Sequence, residues 1–350
     1  MIDYIIVGNG LAGISFAEIA LQNNKSIYVF DNNSQPSSRV AGGLYNPVVL
    51  KRFSEVWKAK EQIDFAFPLY HNIQSKLNVF FDFELPILRK LYSVEEQNNW
   101  FQAADKPNLA PFLDSKLVTT SYNSILSPFH YGKVKHTGYL EISILIEAYT
   151  NYLKSLNCFS SEPFDYDNID FLENEVQYKG IKAKHIIFAE GFGLHSNPFF
   201  NDLPLDGTKG ELLIIKAPNL KLDVVIKSSV FILPIGNDLY KVGATYDWSD
   251  KTNNPTEAGK QELIEKLNEL ISCDYEIVQH FAGVRPTVKD RRPLVGTHPK
   301  YPQLHVLNGL GTRGVMLGPY LANQLFEHIE NQFPLEKEID IIRCYKKNRN

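Results

Sequence analysis

The chain opens on an uninterrupted apolar run, residues 3–7 (DYIIV), stopped by a glycine. A segment apolar at every position, not at every second one, belongs to a strand buried on both faces, as in a parallel sheet. Residues 11–22 then carry apolar side chains at helical spacing, and 25–30 (KSIYVF) form a second apolar run that ends at Asp31. Strand, helix and strand in immediate succession predict a βαβ unit. Residues 32–43 are polar and rich in Ser and Gly, which predicts a loop. The same periodicities predict helices over 53–77, 94–104, 140–156, 256–271 and 314–331. Short β-like runs alternate with turn residues over 118–134. A small hairpin is expected over 171–177 and 181–182, and a buried strand over 185–189 (HIIFA). Residues 211–216, 230–234 and 239–245 predict antiparallel strands of a second sheet, and 304–307 one more strand. The basic tail, 343–350, reads as a frayed, solvated end. Strand–helix alternation at both ends of the chain, with antiparallel strands between, implies two domains interleaved along it.

Gly8, Gly10 and Gly13 spell G-x-G-x-x-G between the first predicted strand and the first predicted helix. The first glycine permits a tight turn and the second lets a pyrophosphate approach the backbone. The third lets helix and strand pack closely. The helix N-terminus presents unpaired N–H groups to the diphosphate. Asp31, 18 residues beyond Gly13, ends the second strand, where a carboxylate accepts hydrogen bonds from a ribose. This is a Rossmann-like dinucleotide site, and the fingerprint alone leaves FAD and NAD both open.

Composition narrows the partners. The 350 residues are 44% hydrophobic and 22% charged, enough for a sizeable core and two domains. A net charge of −4 and a pI near 6.2 argue against a broad phosphate-binding surface, and so against nucleic-acid binding in general. No apolar stretch approaches the roughly 18 residues of a membrane span. The N-terminus reads as a strand, not as a signal peptide. Cys158, Cys273 and Cys344 are far apart and form no C-x-x-C pair. Neither a metal site nor a disulfide framework is expected, and three thiols suit a reducing cytoplasm.

Further blocks follow in order: Ser37–Pro47 (SSRVAGGLYNP), the strand end HIIFAEGFG, Gly283-Val284-Arg285-Pro286, and Asn308-Gly309-Leu310-Gly311-Thr312-Arg313-Gly314. Together with the fingerprint they resemble the D-amino-acid oxidase and glycine oxidase family of FAD-dependent oxidoreductases. KGELLIIK and KVGATYDW resemble strands of that family's substrate domain. The resemblance implies an α/β fold in which a Rossmann-like FAD-binding domain with a βαβ N-terminus is interleaved with an α+β substrate domain built on an antiparallel sheet. The FAD domain would take 1–55, 135–205 and 286–350, and the substrate domain 56–134 and 206–285. GGLYNPVVLKRF and VGATYDW also resemble the oxidase half of the bifunctional enzyme that matures a wobble uridine of tRNA. These 350 residues leave no room for its methyltransferase half.

The resemblance implies oxidation of a C–N bond by hydride transfer from the substrate α-carbon to flavin N5, the imine being hydrolysed by water. FAD would be held non-covalently by Gly8, Asn9, Gly10, Leu11, Ala12, Gly13, Asp31, Asn32, Ser38, Arg39, Gly43, Leu44, Gly191, Gly311, Thr312, Arg313, Gly314 and Val315. The arginine of G-x-R-P, Arg285, would pair with a substrate carboxylate through two parallel hydrogen bonds, a fork lysine cannot reproduce. Tyr246 would place a phenol on the substrate side. Backbone N–H groups from Gly311 onward would stabilise negative charge near flavin N1 and O2. Arg39, Lys51 and Arg52 flank the second loop, where one of them would raise the flavin's potential. Arg313 either lies beside the isoalloxazine or points away, and His136 is expected to be structural. Glu190 stands where the family more often has a small residue; a carboxylate there would disfavour reduced anionic flavin. Asn308 stands where histidine or alanine is common. Three functions follow: oxidation of an amino acid or secondary amine bearing a carboxylate, oxidation of a carboxymethylaminomethyl-type tRNA base, or a non-catalytic flavoprotein. Oligomeric state is left open.

Overall fold

The structure, a computed structural model, describes residues 1–346. Strand Ile2–Val7 lies inside a mixed sheet, with Ile27–Phe30 and Ile181–Phe188 as its parallel neighbours. Phe159–Ser160 continues the parallel order beyond Ile27–Phe30, and Leu304–Asn308 continues it beyond Ile181–Phe188. Leu294–Thr297 adds an antiparallel strand there. The unbroken apolar run follows from side-chain alternation. Tyr4 and Ile6 enter the core on one face, and Ile5 and Val7 enter it on the other. Helices Leu11–Gln22 and Gly314–Asn331 cover the first face, with Phe16 and Phe326 packing on Tyr4 at 5.1 and 6.4 Å between ring centroids. Phe188, Phe200 and Leu203 fill the second. Each fully buried side chain of this kind contributes roughly 1.5–3 kcal/mol.

A second sheet runs in the order Glu276–Arg285, Thr208–Lys216, Leu239–Gly243, Phe231–Pro234, Val225–Lys227, Ile87–Lys90, Tyr131–Val134, Leu113–Val118. Its pairings are antiparallel as predicted, except that Val225–Lys227 and Ile87–Lys90 run parallel. Along Thr208–Lys216, Leu213 and Ile215 pack against Leu263 and Leu267 of helix Glu257–Asn268. Thr208, Gly210 and Leu212 alternate with them and face a large cleft. Leu44–Tyr45, Gly138–Leu140 and Asp82–Glu84 form a small sheet between the two large ones in sequence. Helix Ala59–Leu77 packs on Gly314–Asn331, and the Tyr70 hydroxyl donates to the Val315 carbonyl at 2.7 Å.

Helices Leu11–Gln22, Val94–Ala104 and Gly314–Asn331 occupy their predicted ranges. The helix expected over 53–77 begins only at Ala59, because Phe53 and Lys58 take left-handed φ values of 45° and 49°. Ser54–Glu55 pairs instead with Val48–Val49. The helix expected over 140–156 begins at Ile142, after strand Gly138–Leu140. The loop expected over 32–43 contains one helical turn, Ser37–Val40. Residues 181–182 form a hairpin arm as expected, Val176–Tyr178 pairing antiparallel with the start of the long strand Ile181–Phe188, and Ile169–Phe171 pairs on the other side of Val176–Tyr178. Strand Glu276–Arg285 was not predicted. It lies at the end of its sheet's order and most of its side chains are at least partly exposed, so no apolar run marks it. The expected frayed tail instead starts as a short helix, Ile342–Lys346, with Arg343 donating to the Pro293 carbonyl at 2.9 Å. The rest of the tail, 347–350, lies outside the described residues. Among the described residues no helix is long and apolar enough to cross a membrane, and no cluster of His, Cys, Asp and Glu is arranged to hold a metal.

Candidate active site

A cleft of about 1310 Å³ runs along the carboxyl ends of the parallel strands, across to the face of the second sheet. Ligands of open α/β sheets bind at that end of the strands. The volume exceeds the roughly 300–1,000 Å³ of a single-ligand pocket. Gly8, Asn9, Gly10, Leu11 and Ala12 line it. Gly8 has a φ of +104°, and a Cβ there would lie 2.4 Å from the Ala189 carbonyl oxygen. A Cβ on Gly13 would lie 1.9 Å from the Gly8 carbonyl oxygen. Gly13 thus packs the helix onto the turn and, alone among the predicted cofactor residues, does not face the cleft.

Among the helices whose first residues lie at the cleft are Leu11–Gln22 and Gly314–Asn331. Neither has a side-chain cap or an acidic residue in its first turn, so unpaired N–H groups and the positive dipole ends remain for a ligand. Asn9 is 2% exposed; its Nδ2 donates to Thr150 Oγ1 at 2.7 Å, while its Oδ1 is buried without a donor. Burial raises the Asp31 carboxyl above its ordinary pKa, against the pull of the Asn33 and Asn9 N–H groups and of Arg39. A cradle closed to side chains, paired anion-binding helix ends, an orphaned buried acceptor and an acidic strand end fit a dinucleotide.

Asn32, Ser38, Arg39, Gly43, Leu44, Gly191, Gly311, Thr312, Arg313, Gly314 and Val315 also line the cleft. Burial and the nearby Arg292 and Arg291 depress the Arg313 pKa. Lys51 lines the cleft; Arg52 does not, and His136 sits in a turn beside Phe112. Burial pushes Glu190 up to about 7, although the Tyr166 hydroxyl and Asn197 Nδ2, at 2.8 Å, both donate to it. Asn308 ties two turns together: its Nδ2 donates to the Gly191 carbonyl at 2.9 Å and its Oδ1 accepts from Gly309 N at 2.7 Å.

The opposite wall is made of side chains. Arg285 ends strand Glu276–Arg285, opposite Thr208. Its guanidinium lies across Gly210, where a Cβ would come within 1.8 Å of Nη2. Nη1 donates to the carbonyls of Lys209 and Thr245 at 3.3 and 3.2 Å, and no carboxylate pairs with it among the described residues. The Tyr246 ring, 62% exposed at the cleft, sits 4.6 Å from the guanidinium carbon.

Several lining residues carry no local sequence signal. Glu162, Phe164 and Tyr166 follow the two-residue strand Phe159–Ser160, and the strand-end rule would have found them had that strand been visible. Arg89, Lys227 and Trp248 reach the cleft only through the pairing of distant strands or their connecting loops.

The profile of the DAO family, FAD dependent oxidoreductase, matches residues 3–327. Glycine oxidase of Bacillus subtilis is 20% identical over 94% of this chain and 93% of its own length. The tRNA 5-methylaminomethyl-2-thiouridine biosynthesis bifunctional protein of Marinobacter nauticus is 26% identical over 48% of this chain and 30% of its own length. The crystal structure of glycine oxidase from Bacillus cereus superimposes with a TM-score of 0.77 at 19% identity, covering 95% of this chain and 96% of that one. With its fold, its dinucleotide cradle and nearly its whole length accounted for in this way, the chain belongs to the DAO family and is an FAD-dependent oxidoreductase.

Proposed function

We propose that the protein oxidises the C–N bond of an amino acid or secondary amine bearing a carboxylate. One observation carries this reading: a half-buried guanidinium faces the cleft with, among the described residues, only two backbone carbonyls and a tyrosine ring as partners. Such a group is short of an anion, and a carboxylate satisfies it through two parallel charged hydrogen bonds. The similarity to glycine oxidase supports an amino acid as the amine.

Bound non-covalently along the glycine-lined wall, FAD supplies the two-electron acceptor. The Leu11–Gln22 N-terminus would hold its diphosphate and Asp31 its ribose, with Gly311 to Gly314 at the ring's polar edge. None of the three cysteines lines the cleft. Arg285 anchors the carboxylate end of the substrate, which fixes where its α-carbon sits. Tyr246, stacked on the guanidinium, closes the open side of that anchor. Leu212 and Phe231 give the floor an apolar surface that excludes water from the reacting bond. The amine needs no protein base if it arrives neutral. The division into FAD-binding segments 1–55, 135–205 and 286–350 and substrate segments 56–134 and 206–285, and a cytoplasmic location, belong to the same reading.

A modified tRNA base is the second reading, favoured by the exposed Tyr246 and Trp248 at the cleft, which offer stacking faces. The test is anaerobic. Amino acids and N-alkyl glycines are added to the yellow holoprotein and the visible band is followed. Bleaching by one of them establishes the reaction and its substrate class. A flavin that the whole panel leaves oxidised, but hypomodified tRNA reduces, replaces the first reading by the second.

A further inference from the structure

Beyond Phe231 from Arg285, the cleft ends on a second group of cations. Lys227 and Arg89 are Cα partners across the parallel junction of Val225–Lys227 and Ile87–Lys90, and both line the cleft. The Lys227 ammonium makes no hydrogen bond or ion pair among the described residues. Burial, with Arg89 and Lys266 nearby, pushes its ammonium down to about 8. Arg89 gives Nη2 to Glu96 at 2.7 Å, but its Nε is buried without an acceptor. Its guanidinium lies 5.3 Å from the Tyr92 ring, whose hydroxyl is hydrogen-bonded to Ser228. Like charges placed opposite one another on a ladder destabilise a sheet, and Glu96 balances only one of them. Among the described residues no other ion pair offsets that cost.

We propose that Lys227 and Arg89 form a second anion subsite of the cleft, taking a carboxylate or phosphate carried by the substrate at the end remote from Arg285. This rests on the reading that Arg285 seats the substrate's first carboxylate. Four ladder steps separate strand Glu276–Arg285 from Val225–Lys227. At about 4.8 Å per step the backbones are roughly 19 Å apart, and the long side chains shorten the gap to an order of 10–20 Å. The favoured substrate is therefore longer than a simple amino acid and anionic at both ends.

The experiment titrates the holoenzyme's flavin absorbance with acetate, with α,ω-dicarboxylates of increasing length, and with ω-phosphonocarboxylates of matched length. Wild type is compared with Lys227→Met, Arg89→Met and Arg285→Ala. Affinity is expected to rise at least tenfold from acetate to a dianion of the right span. Lys227→Met and Arg89→Met should erase that gain while leaving acetate binding and the flavin spectrum unchanged. A larger gain for the phosphonates assigns the subsite to phosphate, and a larger gain for the dicarboxylates assigns it to carboxylate. The proposal is overturned if no dianion gains over acetate, or if Lys227→Met weakens acetate and dianions equally. Acetate binding that survives Arg285→Ala overturns the Arg285 reading instead, so the two failures are distinct.

Discussion

The two walls of the cleft are built by different means. On the side we assign to the cofactor the wall offers glycines, turn amides and the starts of two helices that carry neither a side-chain cap nor a first-turn acid. Two helices away from this wall begin otherwise. Ser93 Oγ accepts from Glu96 N at 3.1 Å, and Thr256 Oγ1 accepts from Gly259 N at 3.0 Å. Caps of that kind stabilise a helix by about 1 kcal/mol, and the two cleft helices forgo them. On the substrate side the contacts are side chains, Arg285, Tyr246, Arg89 and Lys227, projecting from one face of a sheet. A backbone wall recognises what every dinucleotide shares and tolerates little change. A side-chain wall can be re-specified residue by residue without disturbing the cofactor.

The largest effect should follow from Gly13→Ala. Its Cβ would meet the Gly8 carbonyl oxygen at 1.9 Å, backbone against backbone, so the turn itself must move. We expect protein purified without flavin, read as visible absorbance relative to protein; full FAD content would break the comparison. Arg285→Ala should keep its flavin and lose about 10²–10³-fold in kcat/KM for carboxylate-bearing amines, as expected for one partner of a buried charge pair. Arg285→Lys should recover only part, lacking the fork. Gly210→Ala sharpens the contrast. Its Cβ would also be far too close, at 1.8 Å, but to the movable tip of Arg285. The protein should fold and bind FAD, with kcat/KM lower by about 10–100-fold because displacing an anchoring group by an ångström is costly. Loss of flavin in this variant would show that the two walls are not separable.

The same difference decided what could be read from the sequence. The cofactor wall is local in the chain: Gly8 to Gly13 and Asp31 lie on consecutive elements, and strands buried on both faces announce themselves as apolar runs. All of the predicted cofactor residues but Gly13 line the cleft. The substrate wall is not local. Arg285 is legible only through the resemblance of its G-x-R-P segment, while the exposure of the strand that carries it leaves no apolar run. Lys227 and Arg89 meet only through a parallel pairing of strands far apart in sequence, and no window of residues contains both. Glu162 to Tyr166 follow a strand of two residues, too short for periodicity to register.

The smallest effect on turnover is expected at Glu190, the titrating side chain of the backbone wall, and there the test is of stability. Its carboxyl is pushed up to about 7 from 4.5 by burial, which outweighs the hydrogen bonds from Tyr166 and Asn197. Between those two pH values the folded protein keeps the proton that the unfolded chain has released. The unfolded state binds fewer protons there, so stability falls as pH rises through the window and levels off above about 7. At about 1.4 kcal/mol per pH unit the loss amounts to as much as about 3 kcal/mol. Glu190→Gln keeps the acceptor for Tyr166 and has no proton to lose, so it should remove this part of the slope. Urea unfolding of both holoproteins at about pH 5 and about pH 8 reads the difference directly. Equal slopes would mean that the carboxyl ionises freely beside the cofactor, and that the wall carries a second negative charge besides Asp31.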